Sequence, residues 1–146
     1  MFFLGIILLL FMVGYSVVKS NRIPQSISET AYIVPKWIFT VGIMLIGITF
    51  MPYIIMLLSV KYEWLAFLFI LSLWCVAASP YYKTEQVKLH YIGAVVCFLN
   101  IMAITFLIKP LCLLIWVIYP LCMFKKIRHW WLMIAECLCS LQLIIA

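Results

Sequence analysis

The chain has 146 residues, of which 69% are hydrophobic and only 10% are charged, and its formal net charge is +6. A soluble domain is about 45–50% apolar and about 25% charged, and a domain of this length could not bury so much apolar surface. The composition therefore excludes a soluble enzyme, a secreted disulfide-bonded module, a coiled coil and a disordered chain. It indicates an integral membrane protein.

Six apolar runs, each bounded by charges, prolines or turn residues, are candidate transmembrane helices, which need about 20 residues each. In chain order they cover Met1 to about Val18, about Pro35 to Ser59, about Trp64 to Ser79, about Leu89 to Ile108, about Pro110 to Phe124 and about Trp130 to Ala146. We expect one all-α domain over residues 1–146, a polytopic membrane bundle of six transmembrane helices.

The fifth run is the weakest of the six, since only Lys109-Pro110 separates it from the fourth and Pro120 interrupts it. Residues 110–124 would form about 22 Å of helix, which is less than the roughly 30 Å of a hydrocarbon core. Five spans plus a re-entrant segment therefore remain the alternative.

Most of the basic residues fall in or beside the first, third and fifth connections between the runs: Lys19, Arg22, Lys36, Lys83, Lys88, Lys125, Lys126 and Arg128. Only Lys61 and Lys109 lie in the second and fourth connections. Because cytoplasmic loops carry the excess of positive charge, both termini are predicted to lie on the outer face of a bacterial inner membrane. The charge is spread over short loops, so we expect contact with anionic lipid headgroups and not with nucleic acid.

Polar side chains inside apolar spans are costly, and they are therefore the candidates for a functional site. Glu136 lies about six residues into the last run, roughly 9 Å below the cytoplasmic surface, and Asn100 lies near the middle of the fourth run. Helical spacing places His90, Gly93, Ala94, Cys97 and Asn100 on one stripe, whose small residues would let another helix approach closely. We expect a polar vestibule open to the cytoplasm, formed by Ser26, Ser28, Glu29, Ser79, His90, Asn100, His129 and Glu136.

These residues also have a structural interpretation. Glu136 can serve as a polar contact between helices, paired with a lysine, His129, Asn100 or a serine. His90 and His129 stand beside lysines at the interface, where contact with headgroups is the simpler interpretation. The six cysteines lie in or beside apolar runs, where they are expected to pack as small hydrophobic residues.

The first connection contains Pro24-Gln25-Ser26-Ile27-Ser28-Glu29-Thr30. A proline, clustered hydroxyls and an acid suit a loop that turns into a short interfacial helix, with Ser26 or Ser28 as its N-cap.

Two further strings lie on the predicted cytoplasmic side, Ala77-Ala78-Ser79-Pro80 and His90-Tyr91-Ile92-Gly93-Ala94. In their order and spacing, the three strings resemble those of small uncharacterised multi-pass membrane proteins of Bacteroides-type bacteria and their phages. The resemblance covers about residues 20–98. It implies the same membrane architecture and brings no activity with it.

A more distant resemblance is to the ceramidase and adiponectin-receptor superfamily, membrane hydrolases that use a serine, an aspartate and three histidines around zinc. This sequence has two histidines and no aspartate. Because a catalytic zinc takes three protein ligands and a water, a zinc site here would need His90, His129 and Glu136 to meet. We expect no metal and no cofactor, and keep this site as an alternative.

The sequence thus predicts a protein that is not an enzyme. It is expected to act by self-association, as a homo-oligomer that can enclose a pore, or by binding other membrane components. One alternative is a channel or carrier for a small solute or a proton, with Glu136 as the titrating group. The other is a zinc-dependent membrane lipid hydrolase with its site at the cytoplasmic face.

Overall fold

The computed structural model describes residues 2–82, 87–114 and 136, and these residues form helices and turns without any strand. The helices are α1 (Phe2–Ser20), α2 (Thr30–Ile33), α3 (Lys36–Leu57), α4 (Trp64–Ala77), α5 (Ser79–Tyr82) and α6 (Val87–Ile108). Short 3₁₀ turns occupy Ile27–Glu29, Val60–Tyr62 and Pro110–Leu114. The predicted all-α class is confirmed for this part of the chain.

Within the described residues, four helical segments are long and apolar enough to cross a membrane: Phe3–Ser20, Lys36–Leu57, Val60–Ala77 and Lys88–Ile108. They coincide with the first four predicted runs. Helices that are apolar around their whole circumference are typical of membrane spans. The fifth run is described only as far as the turn Pro110–Leu114, and the sixth only at Glu136, so the choice between six and five spans lies outside the described residues.

The long helices pack in chain order, α1 on α3, α3 on α4 and α4 on α6. Each pair is antiparallel, as contacts near opposite ends of the helices show. In the first pair, Gly5 lies against Thr49 and Gly42 lies against Met12. In the last pair, the Asn100 side chain bonds to the Leu65 carbonyl. The chain therefore reverses direction at every connection, as alternating membrane spans require.

One end of this bundle, here called the basal end, is where α1 and α4 finish and α3 and α6 begin. The first connection folds onto it as the 3₁₀ turn Ile27–Glu29 and helix α2, which packs against α1 and α3. Pro24 and Thr30 are fully buried, and Ala31 is nearly so. The first connection is therefore a folded part of the bundle.

The third span is shorter than the sequence suggests. We expected it to continue to Ser79, but α4 ends at Ala77, and Ser79 begins the separate helix α5. Pro80 explains the break, because a proline cannot donate the next helical hydrogen bond and its ring clashes with the carbonyl four residues earlier. The Thr40 hydroxyl on α3 donates to the Ala77 carbonyl over 2.9 Å, which satisfies one acceptor at the exposed end of α4.

Candidate functional site

A cavity of about 100 Å³ lies between the long helices at the basal half of the bundle, and it opens to the outside. Its described lining residues come from four helices, from the first connection and from one further position: Leu9, Ile27, Ser28, Ile43, Ile46, Phe50, Phe69, Leu73, Val76, Ala94, Cys97, Phe98, Ile101 and Glu136. Along α3 the lining extends from Ile43 to Phe50, which is about 10 Å of helix. The cavity thus reaches from the first connection towards the middle of the bundle.

The first connection is held at the mouth of this cavity by local hydrogen bonds. Ser26 is the N-cap of the 3₁₀ turn, and its Oγ accepts from the backbone N–H of Glu29 over 3.1 Å. The Thr30 hydroxyl donates to the Ile27 carbonyl over 2.6 Å. This confirms the prediction of a capped turn leading into a short helix, with Ser26 as the capping residue. It also fixes Ile27 and Ser28, which line the cavity.

Glu29 stabilises the same turn from outside the cavity. Its carboxylate accepts from the Arg22 guanidinium over 2.6 Å and from the backbone N–H of Gln25. In the usual capping box, a glutamate at this position bonds back to the N-cap residue itself. Here it bonds one residue earlier, so that the carboxylate joins the turn to the end of α1. Glu29 therefore belongs to the support of the site, not to its lining.

Glu136 is the charged residue among the described lining residues, and it is helical and partly buried. One of its carboxylate oxygens accepts a hydrogen bond from the backbone N–H of Ile27. This N–H is at the start of the 3₁₀ turn, where backbone donors have no partner within the turn. The contact joins two parts of the chain that are 109 residues apart, and it places Glu136 beside Ser28 at the basal end of the cavity.

Ser79 and His90 are both buried close to the basal end, Ser79 at the start of α5 and His90 in the first turn of α6. The His90 side chain is only 3% exposed, and its ring contacts the edge of the Tyr91 ring. Burial contradicts headgroup contact as the role of His90. The reason is its position on the same stripe as Gly93, which faces α4.

Helix α5 is attached to α4 by Tyr82, whose hydroxyl donates to the Cys75 carbonyl. Burial raises the pKa of the Tyr82 phenol, and the nearby Cys75 thiol raises it further. The neutral, donating form of the phenol is therefore favoured.

Asn100 lies about 20 Å along α6 from its start and does not belong to the described lining of the cavity. It is 3% exposed, and its amide donates to the Leu65 carbonyl on α4 over 2.9 Å. The expectation that Asn100 and Glu136 share one polar vestibule is therefore wrong for the described structure. Asn100 connects two helices, which is its structural interpretation.

The small-residue stripe of α6 does allow the close approach that the sequence predicts. A Cβ atom built on Gly93 would lie 2.9 Å from the Cβ of Cys75 and 3.3 Å from the Ser72 carbonyl oxygen. Only glycine fits this contact between α4 and α6. One turn further along, Ala94 and Cys97 line the cavity, so the close contact sets the position of this wall.

His129 lies outside the described residues, as do Trp130 and Trp131. Within the described part of the chain, no group of three histidine, cysteine, aspartate or glutamate side chains is placed to hold a metal ion. The zinc alternative would require His129 to complete the ligand set, and it stays a prediction.

Sequence reasoning missed two parts of this site. It did not pair Glu136 with a backbone N–H, although a serine cap followed by a glutamate three residues later signals a turn with free donors at its start. It also missed the apolar walls contributed by Phe50, Phe69 and Leu73. These residues carry no signal in the sequence, because apolar side chains occur on every face of the helices.

No family model matches the chain, and neither the curated proteins nor the solved structures contain a match to it. The cavity and the groups around it therefore carry the argument about function.

Proposed function

We propose that the protein is a multi-pass protein of a bacterial inner membrane that acts by binding another membrane component, and that the basal cavity is the binding site. The observation that carries this proposal is the cavity itself, to which α1, α3, α4, α6 and the first connection all contribute. Binding pockets are commonly concave and mostly apolar, with a few polar groups that fix the orientation of the ligand. This cavity has that composition.

The proposed orientation has six spans, with both termini on the outer face. It is supported by the exposed basic residues of the described part, since Lys19, Arg22, Lys36 and Lys88 lie at or near the basal end and Lys61 at the opposite end. The positive-inside rule then makes the basal end cytoplasmic. Trp37 and Trp64 are exposed near opposite ends of the bundle, as expected for an aromatic belt.

Binding is favoured over conduction by the character of the walls. Ion and solute pathways are lined with carbonyls, charges or other polar groups along their length. Apart from Ser28, Cys97 and Glu136, the described lining of this cavity is hydrocarbon. A carrier that uses Glu136 and a pore between subunits remain predictions, without a continuous polar path among the described residues to support them.

A cavity-filling substitution tests the proposal. The protein is reconstituted in phosphatidylcholine nanodiscs and exposed to a neutral alkyl alcohol with a photoactivatable group, and the labelled residues are mapped by mass spectrometry. In the wild-type protein we expect label on cavity residues such as Leu73 and Phe98. Ala94→Leu adds three carbon atoms inside the cavity and should remove most of this label.

Ala103→Leu is the matched control, because it makes the same change on α6 at a position outside the described lining. Cavity labelling should survive in this variant. If Ala94→Leu and Ala103→Leu label the cavity as strongly as the wild-type protein does, the cavity is not the binding site.

A further inference from the structure

The polar groups of the cavity stand at one end of it. Glu136 and the Ser28 hydroxyl lie at the first connection, while Phe50, Phe69 and Ile101 line the part towards the middle of the bundle. A ligand that fits both parts has one polar end and an apolar body. The cavity is therefore built for an amphiphile whose head lies at the basal end.

The head of this amphiphile is selected by a hydrogen-bond acceptor. A carboxylate has two oxygens and about four acceptor positions, and it cannot donate a hydrogen bond while it is ionised. The Ile27 N–H occupies one of these positions and holds the carboxylate in place. An acceptor of this capacity can serve a donor in the cavity as well as the backbone.

Charge sharpens the selection. A carboxylate or phosphate head would bring a second negative charge next to Glu136 in a poorly hydrated site, which is unfavourable. An ammonium head would form a charge-assisted hydrogen bond, which is roughly twice as strong as one between neutral groups. The same argument excludes the anionic lipids that the exposed lysines and arginines attract outside the cavity.

Size limits the apolar body. A cavity of about 150 Å³ lined by leucine, isoleucine and phenylalanine can hold benzene, and the cavity here is about 100 Å³. It accommodates a chain segment of about six carbons or fewer, while a longer chain would continue through the opening into lipid. Since lipid is as apolar as the walls, moving the chain into the cavity contributes little to affinity. Selectivity therefore depends on the head.

We infer that the cavity binds a single-chain amphiphile with a primary amine head, which donates to the Glu136 carboxylate at the basal end. This inference rests on the proposed function and adds the chemical class of the ligand. It also gives the bond between Glu136 and Ile27 a role in binding, since it orients the acceptor.

The test uses two photoactivatable probes of equal length, an alkylamine and an alkanoate, on the full chain in phosphatidylcholine nanodiscs. We expect the amine to label the cavity about tenfold more strongly than the alkanoate, which corresponds to about 1.4 kcal/mol. Glu136→Gln should bring the ratio close to one. Glu63→Gln, at the N-cap of α4 and the opposite end of the bundle, should leave it unchanged.

A measurement on the wild-type protein decides the question where Glu136→Gln does not fold. Untagged hexylamine should compete with the neutral alcohol probe for the cavity, and hexanoate should not. Equal labelling or equal competition by amine and alkanoate would overturn the amine assignment and leave the cavity as a binding site. If neither the charged probes nor the alcohol label the cavity, the amine assignment and the proposed function both fail.

Discussion

Gly93→Ala is the substitution whose outcome depends most directly on the contact between α4 and α6. The added Cβ would lie 2.9 Å from the Cβ of Cys75 and 3.3 Å from the Ser72 carbonyl oxygen. Neither atom is the end of a flexible side chain, so the two helices must move apart by a few tenths of an ångström. Overpacking of this kind costs about 1–3 kcal/mol.

Gly14→Ala is the matched control for this prediction. Gly14 is exposed on α1, and a Cβ there would have no atom within 4 Å. Both substitutions exchange glycine for alanine inside a helix, which by itself is worth up to about 1 kcal/mol in favour of the helix. The difference between the two variants therefore isolates the steric cost, and we expect Gly93→Ala to be less stable than Gly14→Ala by about 1–3 kcal/mol.

The assay is reversible unfolding in mixed micelles, with the denaturing detergent fraction as the variable and circular dichroism as the signal. Gly14→Ala should unfold at the same fraction as the wild-type protein or at a higher one, and Gly93→Ala at a lower one. If the two variants shift the midpoint equally, the argument that Gly93 sets the distance between α4 and α6 is refuted. Ala94 and Cys97 would then be positioned by other contacts.

Three further predictions concern the supports of the site and the assembly. Ser26→Ala should lower the free energy of unfolding by about 1 kcal/mol through loss of the N-cap, whereas Ser28→Ala should change it less, and detergent-induced unfolding of both variants compares them. Thr40→Val removes the hydrogen bond to the Ala77 carbonyl and should cost about 1 kcal/mol in the same assay; an unchanged midpoint would contradict a role for this bond. Self-association predicts a discrete oligomer in mild detergent by light scattering, and a strictly monomeric particle would refute it.

The local chemistry of the first connection could be read from the sequence because its interactions are local. Ser26 caps a turn that begins one residue later, and Glu29 lies three residues further along. Such bonds depend on spacing and backbone geometry, which the order of residues fixes. The partner of Glu136 could not be read in this way, since a backbone N–H is available at any exposed helix start and its distance from Glu136 depends on the whole bundle.

The interior of the bundle illustrates the other limit. In α3, α4 and α6, apolar residues occur on all sides, so polarity does not indicate which face of a helix packs against its neighbours. The burial of His90 and the contact from Asn100 to Leu65 followed from shape, above all from the close approach at Gly93. Both residues had been expected in the vestibule, and only the packing separated Asn100 from Glu136.

The sequence by itself thus determined that this is a membrane protein, where its first four spans lie, and how its first connection is capped. These properties follow from composition, from the length that a bilayer demands and from local hydrogen bonds. Only the tertiary structure decided that α1, α3, α4 and α6 leave a cavity, and that Glu136 reaches Ile27 at its basal end. The physical reason is that lipid rewards apolar surface on every side of a helix, so the choice of packing face depends on how side chains fit together.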